Sequence, residues 1–378
     1  MTDKNKLRFD CRHFIGDRPC KFRTVCTCEH YAPVGRRILI IKLGALGDVV
    51  RTACLLPTLR KKYPDSQITW VSRDNGVRIL QGHPMIDRLF EFNAENVFPL
   101  FYEKFDMVLS LDKERQPAAL CNALNSPDKR GMILGEYGTA TYANKEAEYY
   151  FRLGVDDDLK FRKNVKSYPQ LIHEAIGLDY DHTPYELYCS EEDVRQARET
   201  LVTVRTTGMP VIALNVGSSR TFANKAPSRE KWVEIARRMI NIGWQVVLLG
   251  GPDEETDKEW IADHLGGKAF RTQSDNSEKQ FVALISCCDM LITGDTLAMH
   301  VAIARRIPLV VLFGPTCPQE IELYGLGEKI VSTHPCGPCY RRTCDIKPNC
   351  MDVIDSGMII ETAGRVMDRC GRKQNRLQ

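Results

Sequence analysis

Long apolar runs are missing from this 378-residue sequence, and none approaches the ~18 residues that a membrane-spanning helix needs. The opening residues, MTDKNKLRFDCRHF, also lack the apolar core of a secretory signal peptide. These absences predict a cytoplasmic protein, and the basic ends of the chain leave peripheral contact with the inner face of a membrane open. A formal net charge of only +3, without a long basic stripe, argues against nucleic-acid binding.

Two nucleotide-binding fingerprints are absent as well. The sequence has no GxxxxGK[ST] phosphate loop, and its first glycine-rich loop, KLGALGDVV, supplies only Gly44 and Gly47 instead of GxGxxG. The missing GxGxxG argues against an oxidoreductase that uses a dinucleotide.

The apolar residues that are present alternate in a regular way. After about residue 36, runs such as ILIIKL, QITWVS and DMVLSLD are separated by amphipathic stretches, and the pattern restarts near residues 190–209 with VIALNVGSS, QVVLLGG, MLITGD and LVVLFG. Alternation of this kind predicts parallel sheets flanked by helices, and the length favours two cores over one. We therefore predict an α/β fold of two Rossmann-like, doubly wound domains that face each other across a cleft.

Asp48 is the first candidate functional residue. Ligands of doubly wound folds lie beyond the carboxyl ends of the strands, and Asp48 follows the first strand and Gly47 at the start of a predicted helix. One interpretation is an N-cap that binds the first-turn N–H groups. The other is a general base at the mouth of the cleft. The two conflict in part, because capping lowers the basicity of a carboxylate.

The second half has a polar loop, NVGSSRTFANKAPS, between a strand and a helix. Its hydroxyl residues Ser218, Ser219 and Thr221, together with Lys225, can surround a diphosphate. A polar surface loop with a solvated lysine is the alternative.

Two further strand ends carry candidate binding residues. In LITGDTLAMH, the residues Gly294, Asp295, Thr296 and Leu297 begin a helix whose N–H groups suit the pyrophosphate of a nucleotide, and His300 lies one turn later on the same face. Asp253, after the strand VVLLGG, can hold ribose hydroxyls. A structural histidine and a helix N-cap, respectively, are the alternatives.

Fifteen cysteines without an export signal argue against a disulfide framework. We predict that seven are small buried hydrophobic residues: Cys54, Cys121, Cys189, Cys287, Cys288, Cys317 and Cys370. The segment CGPCYRRTCDIKPNC groups four more that can hold a structural zinc or iron ion: Cys336, Cys339, Cys344 and Cys350. A second candidate metal group lies near the start: Cys11, Cys20, Cys26 and Cys28. Free thiols are the alternative for both groups, and neither is expected to be catalytic.

The strand-end motifs, taken together, resemble those of glycosyltransferase family nine, the ADP-heptose:lipopolysaccharide heptosyltransferases. They are ILIIKLGALGDVV, LNVGSS with the following lysine, VVLLGGPDEE, ITGDTLAMHVAIA and VVLFGPT. The resemblance covers about residues 37–355 and implies a GT-B fold. It implies an acceptor domain at 37–190, and the Cys-rich extension at 1–36 before it is an extra that departs from the family pattern. It also implies a donor domain at 191–352 and a last helix, 353–378, that returns to the first domain.

The same resemblance implies an inverting transfer of a heptose or related sugar from an ADP-sugar to an acceptor hydroxyl, without a catalytic metal. Asp48 matches the family's general base, with Gly47 and Arg51 on the acceptor side, and Lys225 matches the diphosphate-contacting lysine. The acceptor can be a glycan, a protein or a small molecule, and the oligomeric state stays open. Two departures from the family pattern are GDTLAMH in place of NDTGPMH and NKAPS without a tryptophan. A nucleotide-sugar epimerase on the same fold and a non-catalytic metal-finger scaffold are the alternatives.

Overall fold

The structure is a computed structural model that describes residues 7–24, 26, 28–205, 208–218 and 224–374. Its described part contains two six-stranded sheets, one in each half of the chain. Each sheet carries helices on its faces, and the two sheets meet across a cleft.

The first sheet has the strand order β3-β2-β1-β4-β5-β6. Its strands are β1 (Arg37–Ile41), β2 (Gln67–Ser72), β3 (Arg88–Glu91), β4 (Met107–Ser110), β5 (Lys129–Leu134) and β6 (Ala140–Tyr142). All neighbours are parallel except β5 and β6, and Ile38 in β1 stands opposite Ile68 in β2 and Met107 in β4. Because helices cover both faces, β1 is apolar and buried along almost its whole length, as expected for a central parallel strand.

The second sheet repeats this arrangement. Its strands are β7 (Val211–Asn215), β8 (Gln245–Leu249), β9 (Ala269–Arg271), β10 (Met290–Gly294), β11 (Leu309–Phe313) and β12 (Gly327–Val331). The order β9-β8-β7-β10-β11-β12 is, strand for strand, the order of the first sheet, and every pairing is parallel. This is the doubly wound order with its switch point beside the first strand, so the predicted pair of Rossmann-like domains is confirmed.

Thirteen α-helices connect the strands in the described part of the chain. They are α1 (Leu46–Thr52), α2 (Leu55–Lys62), α3 (Asp74–Leu80), α4 (Ala94–Leu100), α5 (Arg115–Ala123), α6 (Glu148–Arg152), α7 (Tyr168–Ala175), α8 (Glu191–Thr200), α9 (Arg229–Asn241), α10 (Glu255–His264), α11 (Glu278–Ser286), α12 (Leu297–Ala304) and α13 (Ser356–Gln374). Side-chain oxygens of Ser190, Ser228 and Ser277 cap the starts of α8, α9 and α11. Within the described ranges, none of these helices combines the length and the apolar character required to cross a membrane.

The two domains share a packed interface beside the cleft. Helix α1 of the first domain packs against α12 of the second, and α3 packs against α11. Fully buried residues from both sides, such as Val50 in α1 and Val301 in α12, belong to one hydrophobic cluster. The helix that follows β1 is therefore held against the helix that follows β10.

The amino-terminal segment is attached to the edge of the first domain. The guanidinium of Arg12 donates to the carbonyl oxygen of Asp65 at 3.0 Å, just before β2. The backbone N–H of Gly35 donates to the same oxygen at 3.1 Å, and a Cβ at position 35 would lie 2.3 Å from it. Position 35 therefore has to be glycine for this attachment.

The predicted return of the last helix to the first domain is wrong. Helix α13 packs against α9, β11 and β12 of the second domain. Ile359, Ala363 and Val366 are fully buried in the cluster that contains Ile212 and Trp232. Their spacing of four and three residues forms a single apolar stripe, and this stripe covers the second sheet.

Five of the seven cysteines predicted to be buried are buried: Cys54, Cys121, Cys287, Cys288 and Cys317. Cys189 and Cys370 are only partly buried. Cys189 packs against the edge of the interdomain cluster, and Cys370 lies late in α13, where the helix covers the second core only in part.

Candidate active site

A cavity of about 830 Å³ lies between the two sheets, at the carboxyl ends of their strands. It brings together ten of the residues predicted from the sequence: Gly47, Asp48, Arg51, Ser218, Lys225, Asp253, Asp295, Thr296, Leu297 and His300. The first three come from the first domain and the others from the second. The loops that the sequence places at opposite ends of the chain therefore form a single site.

The remaining predicted donor-binding residues have different positions. Gly294 does not line the cavity, and a Cβ at this position would lie 2.1 Å from the backbone carbonyl oxygen of Lys225. The glycine thus allows the lysine loop to approach the end of β10. Ser219 and Thr221 lie outside the described residues.

The two glycines of KLGALGD each make room for a polar side chain. A Cβ on Gly44 would lie 2.8 Å from Oδ1 of Asp112, whose Oδ2 accepts from the Gly44 N–H at 3.1 Å. Asp112 also forms a fully buried ion pair with Lys42. Burial alone would lower the pKa of Lys42, but Asp112 raises it well above its ordinary value. This pair fixes the loop from which α1 begins.

Asp48 is the third residue of α1 and not its N-cap, which is Ala45 and makes no side-chain cap bond. The N-cap interpretation of Asp48 is therefore wrong. Its Oδ1 instead accepts from Nη2 of Arg51 at 2.8 Å, one turn later, and its side chain remains 36% exposed. A carboxylate with this exposure is accessible to a ligand in the cavity.

The charges around Asp48 keep it ionised. Burial would raise its pKa, but Arg51, Lys42 and His300 outweigh that effect and lower the pKa to about 2. At neutral pH the group is therefore a carboxylate able to accept a proton, although its basicity in the free protein is low.

Arg51 lies between Asp48 and an aromatic ring. Its guanidinium carbon is 3.6 Å from the centroid of Tyr168 in α7, which is a cation–π contact. The hydroxyl of Tyr168 is 2.9 Å from Oγ1 of Thr52, and the Thr52 hydroxyl donates to the backbone carbonyl of Asp48 at 2.6 Å. Contacts with Tyr168 and Thr52 therefore fix the positions of Arg51 and of the Asp48 backbone.

On the other wall, α12 directs its first turn toward the cavity. Its N-cap residue Thr296 does not cap the helix with its side chain. Oγ1 of Thr296 instead lies 2.9 Å from Oγ1 of Thr293 and accepts from Nδ2 of Asn215 at 3.3 Å. Leu297 and Ala298, the first two residues of this helix, line the cavity, so the helix begins at the cavity wall, and helix N-termini favour anions.

Lys225 and Asp295 face each other beside this helix start. Nζ of Lys225 lies 3.4 Å from Oδ2 of Asp295, and both side chains are mostly buried. Burial would raise the pKa of Asp295, but Lys225, His300 and Arg51 lower it. The pair places one mostly buried cation at the wall that would receive a diphosphate.

His300 is buried at the contact between the two domains. Its Nδ1 lies 3.0 Å from the hydroxyl of Tyr185. Burial first, and then the nearby Arg51, lower the pKa of His300 to about 4. The imidazole is therefore neutral at neutral pH.

Asp253 lies inside the short turn Pro252–Glu254, whose N-cap position is Gly251, so the N-cap alternative for Asp253 is wrong. The sequence reasoning missed its neighbour Glu254, which also lines the cavity. Oε2 of Glu254 accepts from the Gly251 N–H at 2.8 Å, and a Cβ on Gly217 would lie 2.2 Å from its Cδ. The glycines that end β7 and β8 therefore admit this side chain.

Two further residues that line the cavity, Tyr340 and Lys160, belong to no motif that would predict their role. Tyr340, from the cysteine-rich segment, stacks on Phe161 of the first domain with ring centroids 5.4 Å apart and planes at 4°. Nζ of Lys160 lies 3.9 Å from the Tyr340 centroid. Tyr340 and Lys160 both line the cavity, so this aromatic contact joins the two domains at its edge.

The profile of glycosyltransferase family 9 (heptosyltransferase) matches residues 99–349, well over half of the chain. The chain belongs to glycosyltransferase family 9. The resemblance carried by the strand-end motifs is thereby confirmed, and the protein is a glycosyltransferase.

Several relatives match this family 9 protein over most of their own length. Lipopolysaccharide heptosyltransferase 1 from Pseudomonas aeruginosa is 24% identical over 324 residues, which cover 82% of this chain and 88% of the relative. The crystal structure of a family 9 glycosyl transferase from Veillonella parvula has a TM-score of 0.69 at 21% identity, covering 88% and 98% of the two chains. Escherichia coli heptosyltransferase WaaC with ADP-2-deoxy-2-fluoro heptose has a TM-score of 0.56 at 17% identity, covering 86% and 99%. These likenesses confirm the GT-B fold.

The structure does not confirm the metal sites predicted for the two cysteine groups of this family 9 chain. Among the described residues, no three His, Cys, Asp or Glu side chains are placed to hold a metal ion. Burial, and then the nearby Cys336, Cys339 and Cys344, raise the pKa of Cys350 to about 11. Sγ of the exposed Cys336 lies 3.1 Å from Nδ1 of His334, whereas Cys350 is buried against Gly314.

The amino-terminal group behaves in the same way. Cys11, Cys20, Cys26 and Cys28 are all partly buried. Sγ of Cys26 accepts from the backbone N–H of Arg8 at 3.2 Å. The metal site predicted for this group stays a prediction.

Proposed function

We propose that this glycosyltransferase moves a heptose or a closely related sugar from an ADP-sugar to an acceptor hydroxyl, with inversion at the anomeric carbon. The observation that carries the proposal is the shared cavity, in which Asp48 of the first domain faces Lys225 and the start of α12 in the second. One wall offers a proton acceptor, and the other offers positive charge for a leaving nucleotide.

Asp48 acts as the general base in this proposal. An acceptor hydroxyl oxygen attacks the anomeric carbon and gives its proton to the Asp48 carboxylate as the bond from that carbon to the diphosphate breaks. ADP leaves with the bonding electron pair, and the new glycosidic bond forms on the opposite face of the sugar. General-base assistance of this kind contributes about 10²- to 10⁴-fold to a rate.

The charge that develops on the diphosphate is met by groups of the second domain. Lys225 and the backbone N–H groups at the start of α12 are already placed on that wall, so they need little rearrangement during the reaction. Because these groups supply the positive charge, we propose that no catalytic divalent cation is required. Asp253 would take the ribose, and Ser218 the phosphates.

The donor and acceptor classes rest on the relatives. WaaC has been crystallised with an ADP-heptose analogue, and the Pseudomonas aeruginosa relative is named as a lipopolysaccharide heptosyltransferase. We therefore propose ADP-heptose as the donor and a sugar of a lipopolysaccharide core as the acceptor, bound on the first-domain side near Gly47.

The experiment is a transfer assay with ADP-heptose and a lipopolysaccharide-core acceptor, run with EDTA and, separately, with added Mg²⁺. UDP-glucose serves as the control donor. We expect acceptor-dependent ADP release at equal rates in both conditions, with an inverted anomeric centre in the product by NMR. Epimerised donor without acceptor, or activity only with Mg²⁺, would contradict the proposal.

A further inference from the structure

In the structure, the guanidinium of Arg51 is held by two side chains of its own domain. Its Nη2 is 2.8 Å from Oδ1 of Asp48, and its guanidinium stacks 3.6 Å from the ring of Tyr168. The side chain is only 13% exposed, yet it lines the cavity. Its Nε is buried without a hydrogen-bond partner among the described residues. A buried donor without a partner is costly, and a ligand oxygen would relieve that cost.

Arg51 also interacts with the second-domain wall of the cavity, where we propose that the donor binds. Two acidic side chains of the second domain, Asp295 and Glu320, act on the guanidinium across the cavity. Asp295 is the partner of Lys225, at the place proposed for the diphosphate. A diphosphate bound there would bring further negative charge close to Arg51, in competition with Asp48.

From this arrangement we infer that Arg51 is a positioning residue, held on Asp48 in the free enzyme and drawn toward the diphosphate when the donor binds. The inference rests on the proposed function and deepens it. Donor binding would then loosen the ion pair that weakens Asp48 as a base, and the carboxylate would gain basicity only when a sugar is present to receive the acceptor oxygen.

Several other groups face Asp48 and Arg51 and remain in place during this exchange. They are Lys42 at the end of β1, Tyr150 of α6, Tyr168 of α7, Tyr185 before α8, His300 of α12, and Lys113 after β4. Lys42 is committed to Asp112 in a fully buried pair, and His300 is a neutral imidazole at the pH of the assay. Arg51 is the group in this set that both contacts Asp48 and lines the cavity.

The test is a double-mutant cycle on ADP binding, measured by calorimetry at pH 7.5 with the wild type, Asp48→Asn, Arg51→Met and the double variant. Asp48→Asn releases Arg51 to the diphosphate, so we expect ADP to bind on the order of 10-fold more tightly, within the usual range of coupling between sites. In the Arg51→Met background the same change should alter the ADP affinity by less than about 2-fold, the usual error of additivity. An equal gain in both backgrounds, or no gain with Asp48→Asn, would overturn the inference.

A second readout separates positioning from a structural role. Arg51→Met removes the cation that lowers the pKa of Asp48, so the acid limb of kcat/KM should move to higher pH, while Arg51→Lys should restore most of the wild-type profile. A limb that does not move contradicts the inference. The proposed function itself fails in a different way, namely if Asp48→Asn keeps its turnover. The thermal midpoint of each variant shows whether it is folded.

Discussion

Gly47 in the first domain lies directly against the imidazole of His300 in the second: a Cβ at position 47 would be 2.7 Å from Cδ2 of that ring. The contact lies where α1 packs on α12, one residue before Asp48. Asp48 and the second-domain wall of the cavity can approach each other because position 47 has no side chain. The glycine is thus a requirement of the interface between the domains.

Gly47→Ala should separate α1 from α12. We expect a loss of stability of about 1–3 kcal/mol, as for other overpacked contacts, and about 100-fold slower transfer because Asp48 moves away from the donor wall. Gly364→Ala is the matched control, since a Cβ there meets nothing within 4 Å and lies in a helix. The control should be neutral or slightly stabilising. Wild-type stability and activity for Gly47→Ala would contradict this account of the interface.

Lys225→Met should weaken ADP binding and leave adenosine binding unchanged. The lysine lies beside Asp295, on the wall where we propose that the diphosphate binds. A charged hydrogen bond contributes about 1.5–3 kcal/mol, or roughly 10- to 100-fold in Kd. Calorimetry with the two ligands measures the difference. Lys231→Met, on α9 and paired with Glu234, is the control. Equal losses for ADP and adenosine would show that the lysine supports the fold instead.

His300 should make the protein less stable in mild acid. Its pKa is about 4 in the folded protein and near 6.5 in the unfolded chain, and His83 has the same shift. Between these values the unfolded chain binds more protons, so stability falls as the pH drops from about 6.5 to 4, by at most about 1.4 kcal/mol per pH unit for each histidine. Denaturant unfolding at pH 5 and 7.5 measures this slope. His300→Gln should reduce the slope.

The ring of Tyr340, more than its hydroxyl, should support the site. It stacks on Phe161 and carries Lys160 on its face, interactions that together are worth about 1–3 kcal/mol. Tyr340→Leu should therefore lower kcat/KM about 10-fold, and Tyr340→Phe should stay near the wild type. Phe101→Leu, at an exposed aromatic residue outside the cavity, is the control. Equal effects of the Leu and Phe variants would assign the role to the hydroxyl.

The central strands could be predicted from the sequence because burial on both faces leaves an uninterrupted apolar run, as in Ile38–Ile41. The run RLFEFN also predicts the edge strand β3, but β5, β9 and β12 were missed for the opposite reason. β12 is GEKIV and mostly only partly buried, β9 has three residues, and β5 contains Gly131 with φ at +89°. β9 and β12 are edge strands, which are short and polar and therefore have weak periodicity, and β5 lies next to the edge strand β6.

Ten of the residues that line the candidate site could be predicted, because glycine-rich strand ends meet at one edge of a parallel sheet, but Glu254, Tyr340 and Lys160 could not. The interactions within the site could not be predicted either. The contact of Arg51 with Tyr168, and that of Lys160 with Tyr340, join elements more than 100 residues apart. The predicted position of α13 was wrong because an apolar stripe shows only that one face of a helix is buried. It does not show which sheet that face packs against.

The central claim is that Asp48 removes the proton from the acceptor while the second domain holds the nucleotide. Single-turnover transfer by Asp48→Asn, with the ADP affinity measured on the same preparation, tests it most directly. Asp74→Asn, an exposed acid paired with Arg78 outside the cavity, is the control. The account predicts a transfer rate lower by about 10²- to 10⁴-fold with ADP binding no weaker than in the wild type. A rate within about 3-fold of the wild type, at full ADP saturation, would contradict it.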